Sequence, residues 1–297
     1  MSAAARLSHL GAVTLLEAEE ALGYHASGPS AAMYIEGYGN ETVQALNRAG
    51  RTYLDTENGG VLAPRGIMCV APADQRGLFE TEVAGFGMGE ISLAEARERF
   101  PILNPGTVAF AAENRDTPEI DTDRLLQGFA REARRNGGRI VTRARVTRLH
   151  RTAPGWTAAT AAGDFAGRIL VNAAGAWVDE VARLAGVRPL GFQPYRRSIA
   201  RIPAPGGHDV SRWPLVHAAD DGWYARPDAG KWLVSPSEED PMAPHDAFAD
   251  DMVLAEGIAR YQAMVTEPVT RVETSWAGLR TFAPDRALVI GFDTEAA

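Results

Sequence analysis

An acidic residue closing an apolar strand is the first feature of this 297-residue chain that could do chemistry. Ala12-Val13-Thr14-Leu15-Leu16 reads as a short strand, and Glu17 ends it. In a nucleotide-binding α/β layer such a carboxylate accepts hydrogen bonds from a ribose, about 20 residues after a glycine-rich turn. Counting back from Glu17 passes Met1, so the spacing places that turn and its strand upstream of Met1. Residues 2–10 read as the helix whose N-terminus would face a pyrophosphate. Taken alone, Glu17 fits the end of an ordinary surface strand better. A second segment, Arg168-Ile169-Leu170-Val171-Asn172, runs into Ala173-Ala174-Gly175-Ala176-Trp177. Small residues let a pyrophosphate or a flat ring approach the backbone closely. A tight strand–helix turn around a core tryptophan is the plain alternative.

The elements that must position these residues alternate between helix and strand. Residues 41–54 read as a helix and residues 23–30 as a loop. Residues 61–71 and 107–112 read as strands. Ser92 and Glu95 have capping-box spacing and open a helix to about Phe100. Asp121 caps a second helix, with Leu125, Leu126, Phe129 and Ala133 as its apolar stripe and Gly137-Gly138 as its stop. Residues 139–149, 157–161 and 168–172 are strand candidates, 177–184 a helix, 189–236 a strand-rich stretch, and 247–265 a helix. The pattern predicts an α/β fold in which a Rossmann-like layer is interleaved with an antiparallel-sheet substrate layer.

Composition narrows the function classes. A net charge of −8 argues against an electrostatic nucleic-acid binder, and the chain has a single lysine, Lys231. One cysteine, Cys69, can form no internal disulfide and offers no cluster of thiols for zinc. No window approaches a transmembrane span, and residues 1–20 lack the pattern of a secretory signal. A reducing cytoplasm is the expected location.

Several segments together resemble the FAD-dependent D-amino-acid oxidase/dehydrogenase superfamily, and within it bacterial D-arginine dehydrogenase-like enzymes. They are Leu15-Leu16-Glu17, Gly23 to Ala32, Ile120-Asp121-Thr122-Asp123, Leu170 to Trp177, Gly186-Val187-Arg188-Pro189-Leu190, Trp223-Tyr224 with Pro227-Asp228, Ser235-Pro236, and Trp276-Ala277-Gly278-Leu279-Arg280. They follow the family order over nearly the whole chain. The resemblance implies hydride transfer from a D-amino acid to non-covalently held FAD, giving a 2-oxo acid and ammonia after hydrolysis. It implies a small-molecule substrate, no need of a metal, and an electron acceptor that is a dye, a quinone or oxygen. A non-catalytic fragment unable to hold FAD, or a flavoenzyme for a secondary amine or 2-hydroxy acid, is the competing expectation.

Site residues follow from the same resemblance. Arg280 matches the substrate carboxylate clamp, where a planar guanidinium gives bidentate bonds that lysine cannot. Tyr224 matches a tyrosine that helps hold the carboxylate. Arg197 and Tyr38 match pocket residues, and Gly278 matches a glycine whose carbonyl receives the amine. On the cofactor side Glu17 matches the ribose ligand. Ser27, Gly28, Ser30 and Ala31 match the loop along the flavin and pyrophosphate, and Val146 matches the strand beside the adenine. Ala173, Ala174, Gly175 and Trp177 match the second FAD segment. His25 stands in a loop where distant amine dehydrogenases attach flavin to histidine; a solvated or loop-stabilising role is the expectation here.

Three positions depart from the arginine-preferring pattern. Pro29 stands where relatives carry arginine, Met33 where they carry histidine, and Ile67 where they carry a glutamate for the cationic tail. An apolar substrate side chain is therefore expected. Relatives also continue past the final Gly291 to Ala297 stretch, so the resemblance implies truncation at both ends. The expected FAD-binding part comprises residues 1–60, 119–188 and 273–297; the substrate part comprises 61–118 and 189–272.

Overall fold

The chain threads repeatedly through one nine-stranded mixed sheet. The structure, a computed structural model, describes residues 1–294; the last three residues of the expected segment 273–297 lie outside them. Helix α1 (Ser2–Leu7) and strand β1 (Thr14–Leu16) come first, and after an irregular loop helix α2 (Glu41–Thr56). Next come β2 (Leu62–Pro64), β3 (Ile67–Ala71), α3 (Arg76–Gly85), β4 (Gly89–Ile91) and α4 (Leu93–Arg99). Strands β5 (Phe110–Asn114) and β6 (Pro118–Ile120) precede α5 (Thr122–Arg135). Strand β7 (Arg139–Val141) leads into a meander of β8 (Val146–Thr152), β9 (Gly155–Thr160) and β10 (Gly163–Gly167). Helix α6 (Val178–Leu184) is followed by β11 (Gln193–Ile202), β12 (Leu215–Ala218), β13 (Tyr224–Asp228) and β14 (Lys231–Ser235). The short β15 (Asp240–Pro241), helix α7 (Asp251–Ala263) and β16 (Thr274–Phe282) complete it.

The large sheet has the order β15-β11-β14-β13-β12-β3-β5-β4, and β16 pairs antiparallel along the whole of β11. Because side chains alternate across a strand, cross-strand partners share a face. The pairs Cys69–His217, His217–Tyr224 and Tyr224–Ser235 therefore put Ile67, Cys69, His217, Tyr224 and Ser235 on one face. Arg201–Leu233, Arg197–Gly278 and Tyr195–Arg280 extend that face to Arg197, Gly278 and Arg280. The opposite face carries Met68, Val70, Val216, Ala225, Trp232 and Val234, and packs with Phe100, Trp213, Trp223 and Tyr261 as the main core. Strand β3 is buried at every residue, as a continuous apolar run with both faces covered should be.

Helix α4 starts with the predicted reciprocal cap: Ser92 accepts the Glu95 N–H, and the Glu95 carboxylate accepts the Ser92 N–H. Asp121 likewise accepts the Arg124 N–H at the head of α5. Helix α7 reaches the sheet through Gly257, whose Cβ position is already filled by Pro236.

Several local expectations are corrected. The first helix ends at Leu7, and the strand that follows it begins at Thr14, later than expected. The apolar stretch 61–71 is broken at Gly66 (φ +85°) into β2 and β3. The expected strand 107–112 is β5, shifted to Phe110–Asn114, because Thr107 and Val108 turn back on Asn104. The deep side of α5 is Gly128, Ala130 and Ala133, so small residues bring it close to its neighbours while Leu125, Leu126 and Phe129 are half-buried. Residues 168–172 are not a β-strand: they pair with no strand among the described residues, and Ile169 and Val171 are 65% and 51% exposed. Among the described residues no helix is long and apolar enough to cross a membrane.

Candidate active site

The register of β11 against β16 assembles the basic end of the site. Arg197 and Gly278 are cross-strand partners, as are Tyr195 and Arg280. Arg280 donates from Nη2 to the hydroxyl of Tyr38, and its guanidinium carbon lies 5.8 Å from the centre of that ring. Two predicted pocket residues 242 positions apart thus meet. Tyr38 stacks on Phe86, with ring centres 6.5 Å apart, and Phe86 packs edge-on to His217 at 5.8 Å. Tyr224 shares this face. Burial raises its phenol pKa, while a hydrogen bond with Ser235 and the charges of Arg197 and Arg280 oppose that shift. Met33 and Ile67 belong to one apolar cluster with Phe86, Met88, Leu215 and Tyr224. The structure therefore brings Arg280, Arg197, Tyr38, Tyr224, Met33 and Ile67 to one side of the sheet.

Gly278 is where this sheet face meets the expected cofactor loop. A Cβ there would lie 2.9 Å from the carbonyl oxygen of His25 and 3.1 Å from Cβ of Pro29. Only glycine allows that approach without displacement of the loop.

The cofactor-side residues fall into two groups. Glu17 ends β1, its Oε1 accepts the Glu19 N–H at 3.0 Å, and its carbonyl accepts the Ala144 N–H at 2.8 Å. Val146 lies two residues beyond that anchor, at the head of β8. Ser27, Gly28 and Ser30 are exposed in the loop, and the Ser30 hydroxyl accepts the Ala32 N–H. In the second group, Asn172 donates to the Val178 carbonyl and shapes the turn Ala173-Ala174-Gly175. Gly175 has φ +55° with open space around its Cβ position. Trp177 joins the groups: its ring lies 4.5 Å from that of His25, and the Arg145 guanidinium lies over it, 5.6 Å from its centre. His25 bonds Glu19 at 3.0 Å within the loop. An anchored strand-end carboxylate, exposed hydroxyls and a small-residue turn together fit the ribose, pyrophosphate and flat ring of a flavin dinucleotide.

Three further groups escaped the sequence reading. Glu239 accepts from Arg286 at 2.7 Å and pairs with Arg197 and Arg280 at 3.4 and 3.8 Å. The Arg286 hydrogen bonds hold its carboxyl below the usual range. Glu119 holds Arg65 and Arg226, each at 2.8 Å, and Arg226 also donates to the carbonyl of Ala31. His217 is buried and its Nε2 has no hydrogen-bond partner among the described residues; burial lowers its pKa to about 4. The run Ser237-Glu238-Glu239-Asp240 just after a strand was the available signal for Glu239.

With this geometry in hand, the comparisons are decisive for the family. The model of the family described as FAD dependent oxidoreductase, DAO, matches residues 1–296. The chain belongs to this family. Hydrogen cyanide synthase subunit HcnC of Pseudomonas aeruginosa is 26% identical over 182 residues, covering 58% of this chain and 41% of that protein. The match spans less than half the length of that relative. Glycine oxidase from Geobacillus kaustophilus superposes with a TM-score of 0.79 at 20% identity, covering 99% of this chain and 83% of that one. L-α-glycerophosphate oxidase from Mycoplasma pneumoniae, solved with FAD bound, superposes with a TM-score of 0.78 at 17% identity, covering 95% and 81%. These structures share the fold, and FAD is the cofactor of the DAO family to which the chain belongs.

Proposed function

We propose that the chain serves the oxidative deamination of D-amino acids with apolar side chains. The observation that carries this reading is the Arg280–Tyr38 hydrogen bond on a sheet face that also holds Arg197 and Tyr224. When bound, FAD supplies the two-electron acceptor for the substrate Cα–H. Its holders in this reading are Glu17, Ser27, Gly28, Ser30, Ala31, Val146, Ala173, Ala174, Gly175 and Trp177. The assignment places the dinucleotide on segments 1–60, 119–188 and 273–297, and the substrate on 61–118 and 189–272. In this reading Gly278 and Arg280 stand where the two parts meet, since β16 of the first part pairs along β11 of the second.

Arg280 takes the α-carboxylate through its planar fork, and Tyr224 and Tyr38 fix the carboxylate's orientation. Arg197 adds a second positive charge. The Gly278 carbonyl receives the amine. Met33 and Ile67 line the side-chain pocket with apolar surface, where each Å² buried contributes about 25 cal/mol. A guanidinium tail beside them would lose its water without gaining a counter-ion.

The test is a D-amino-acid panel with a dye acceptor, on protein whose visible absorbance shows bound flavin. D-Leucine, D-methionine and D-phenylalanine should outrank D-arginine in kcat/KM, and simple amines should react poorly. A tenfold preference for D-arginine, or protein that takes up no flavin, overturns the reading. A secondary amine or 2-hydroxy acid is the second reading, because Arg280 would clamp any α-carboxylate.

A further inference from the structure

The basic end of the site carries a negative charge of its own. Glu239 Oε1 lies 3.4 Å from Arg197 Nη2 and 3.8 Å from Arg280 Nη1, and Glu239 Oε2 lies 2.7 Å from Arg286 Nη2. One carboxylate is thus shared by three guanidiniums, which leaves them an excess of positive charge to receive a substrate carboxylate.

The neighbouring acids are engaged elsewhere. Glu238 accepts the Ser198 N–H at 2.7 Å, and Asp240 pairs with Arg196 at 2.7 Å. Arg196 and Arg197 point to opposite faces of β11 because successive strand residues do. The acids after β14 are sorted in the same way, and Glu239 is the one delivered to the face of Arg280.

Resting on the reading of Arg280 and Arg197 as the carboxylate clamp, we propose that Glu239 is a specificity-determining residue that confines the site to substrates with one carboxylate. Its fixed charge repels the side-chain carboxylate of an acidic D-amino acid, and without it the clamp would carry one more net positive charge and accept a dicarboxylate. This is selection by a repulsive element built into the site.

Glu239→Gln removes the charge and keeps the shape, while Glu239→Asp keeps the charge. The full chain, saturated with FAD, is titrated calorimetrically with D-leucine and with D-glutamate, and kcat/KM is measured for both. In Glu239→Gln the ratio of D-glutamate to D-leucine should rise about tenfold, through KM, the order expected for charges several ångströms apart near a protein surface. Glu239→Asp should keep the wild-type ratio, and added salt should shrink the difference between the wild type and Glu239→Gln. An unchanged ratio in Glu239→Gln, with D-leucine still bound, overturns the proposal. Equal loss of both ligands in Glu239→Gln reduces Glu239 to a support for the arginines and also overturns it. Failure of the wild-type protein to bind D-leucine at all removes the functional reading beneath it, and the proposal with it.

Discussion

Replacing Glu119 by alanine should cost about 3 kcal/mol of folding stability. Its carboxylate accepts from Arg65 Nε at 3.0 Å, from Arg65 Nη2 at 2.8 Å and from Arg226 Nη2 at 2.8 Å. The three side chains are only 12–20% exposed. Charge-assisted bonds at about 1.5–3 kcal/mol each would sum to roughly 5–9 kcal/mol if all were lost outright. The loss is smaller, because Arg65 keeps the carbonyls of Ser211 and Trp213 and Arg226 keeps that of Ala31. What remains is the cost of two guanidiniums left without a counter-ion, one of which burial already disfavours. Urea unfolding followed by tryptophan fluorescence measures the change directly, and the melting temperature should fall by about 6–12 °C. Glu119→Ala combined with Arg226→Met should recover part of the loss, since the worst unpaired charge goes with it. A loss below about 1 kcal/mol in Glu119→Ala, with an unchanged denaturant slope, would refute the reasoning.

Three other outcomes are expected. Arg280→Met should raise KM for a D-amino acid at least about 100-fold, the loss of two charged hydrogen bonds, while flavin absorbance stays unchanged; a KM within threefold of wild type counts against the clamp. Burial depresses the folded-state pKa of His217 to about 4 from an ordinary value of 6.5. The unfolded chain therefore binds the proton first, and stability present above pH 6.5 is lost as pH falls towards 4, by about 3 kcal/mol in total; a His217→Phe variant should show a flatter pH dependence of urea midpoint. Gly257→Val should lower the melting temperature by several degrees, because its side chain would occupy the space of Pro236; an unchanged melt would mean that α7 can slide away from the sheet at no cost.

Local chemistry was legible in the sequence wherever a few adjacent residues decide it. Ser92 with Glu95, and Asp121, mark their helices, and both caps form. The apolar substitutions at Met33 and Ile67 end in one cluster. Non-local pairing was not legible. Residues 168–172 have strand composition, but a strand exists only beside a partner, and none lies along them among the described residues. Glu239 stands 42 positions from Arg197 and 41 from Arg280, and only the antiparallel pairing of β11 with both β16 and β15 gathers the three. The burial of His217 likewise follows from its place between Cys69 and Tyr224, on strands that spacing cannot pair.

The parallel pairing of β3 with β12 sets the order in which this molecule can take shape. These strands lie roughly 150 positions apart in the chain, yet they are neighbours at the middle of the large sheet. During synthesis, β3, β4 and β5 emerge with one side of their ladder open until β12 leaves the ribosome. Closing so long a loop is slow, and the waiting edge can pair with other chains. Ile67 and Tyr224, on opposite sides of that late seam, meet only once it has closed. Growth temperature and chaperone supply should therefore govern the yield of folded protein more strongly than they would for a chain whose sheet neighbours follow one another in sequence.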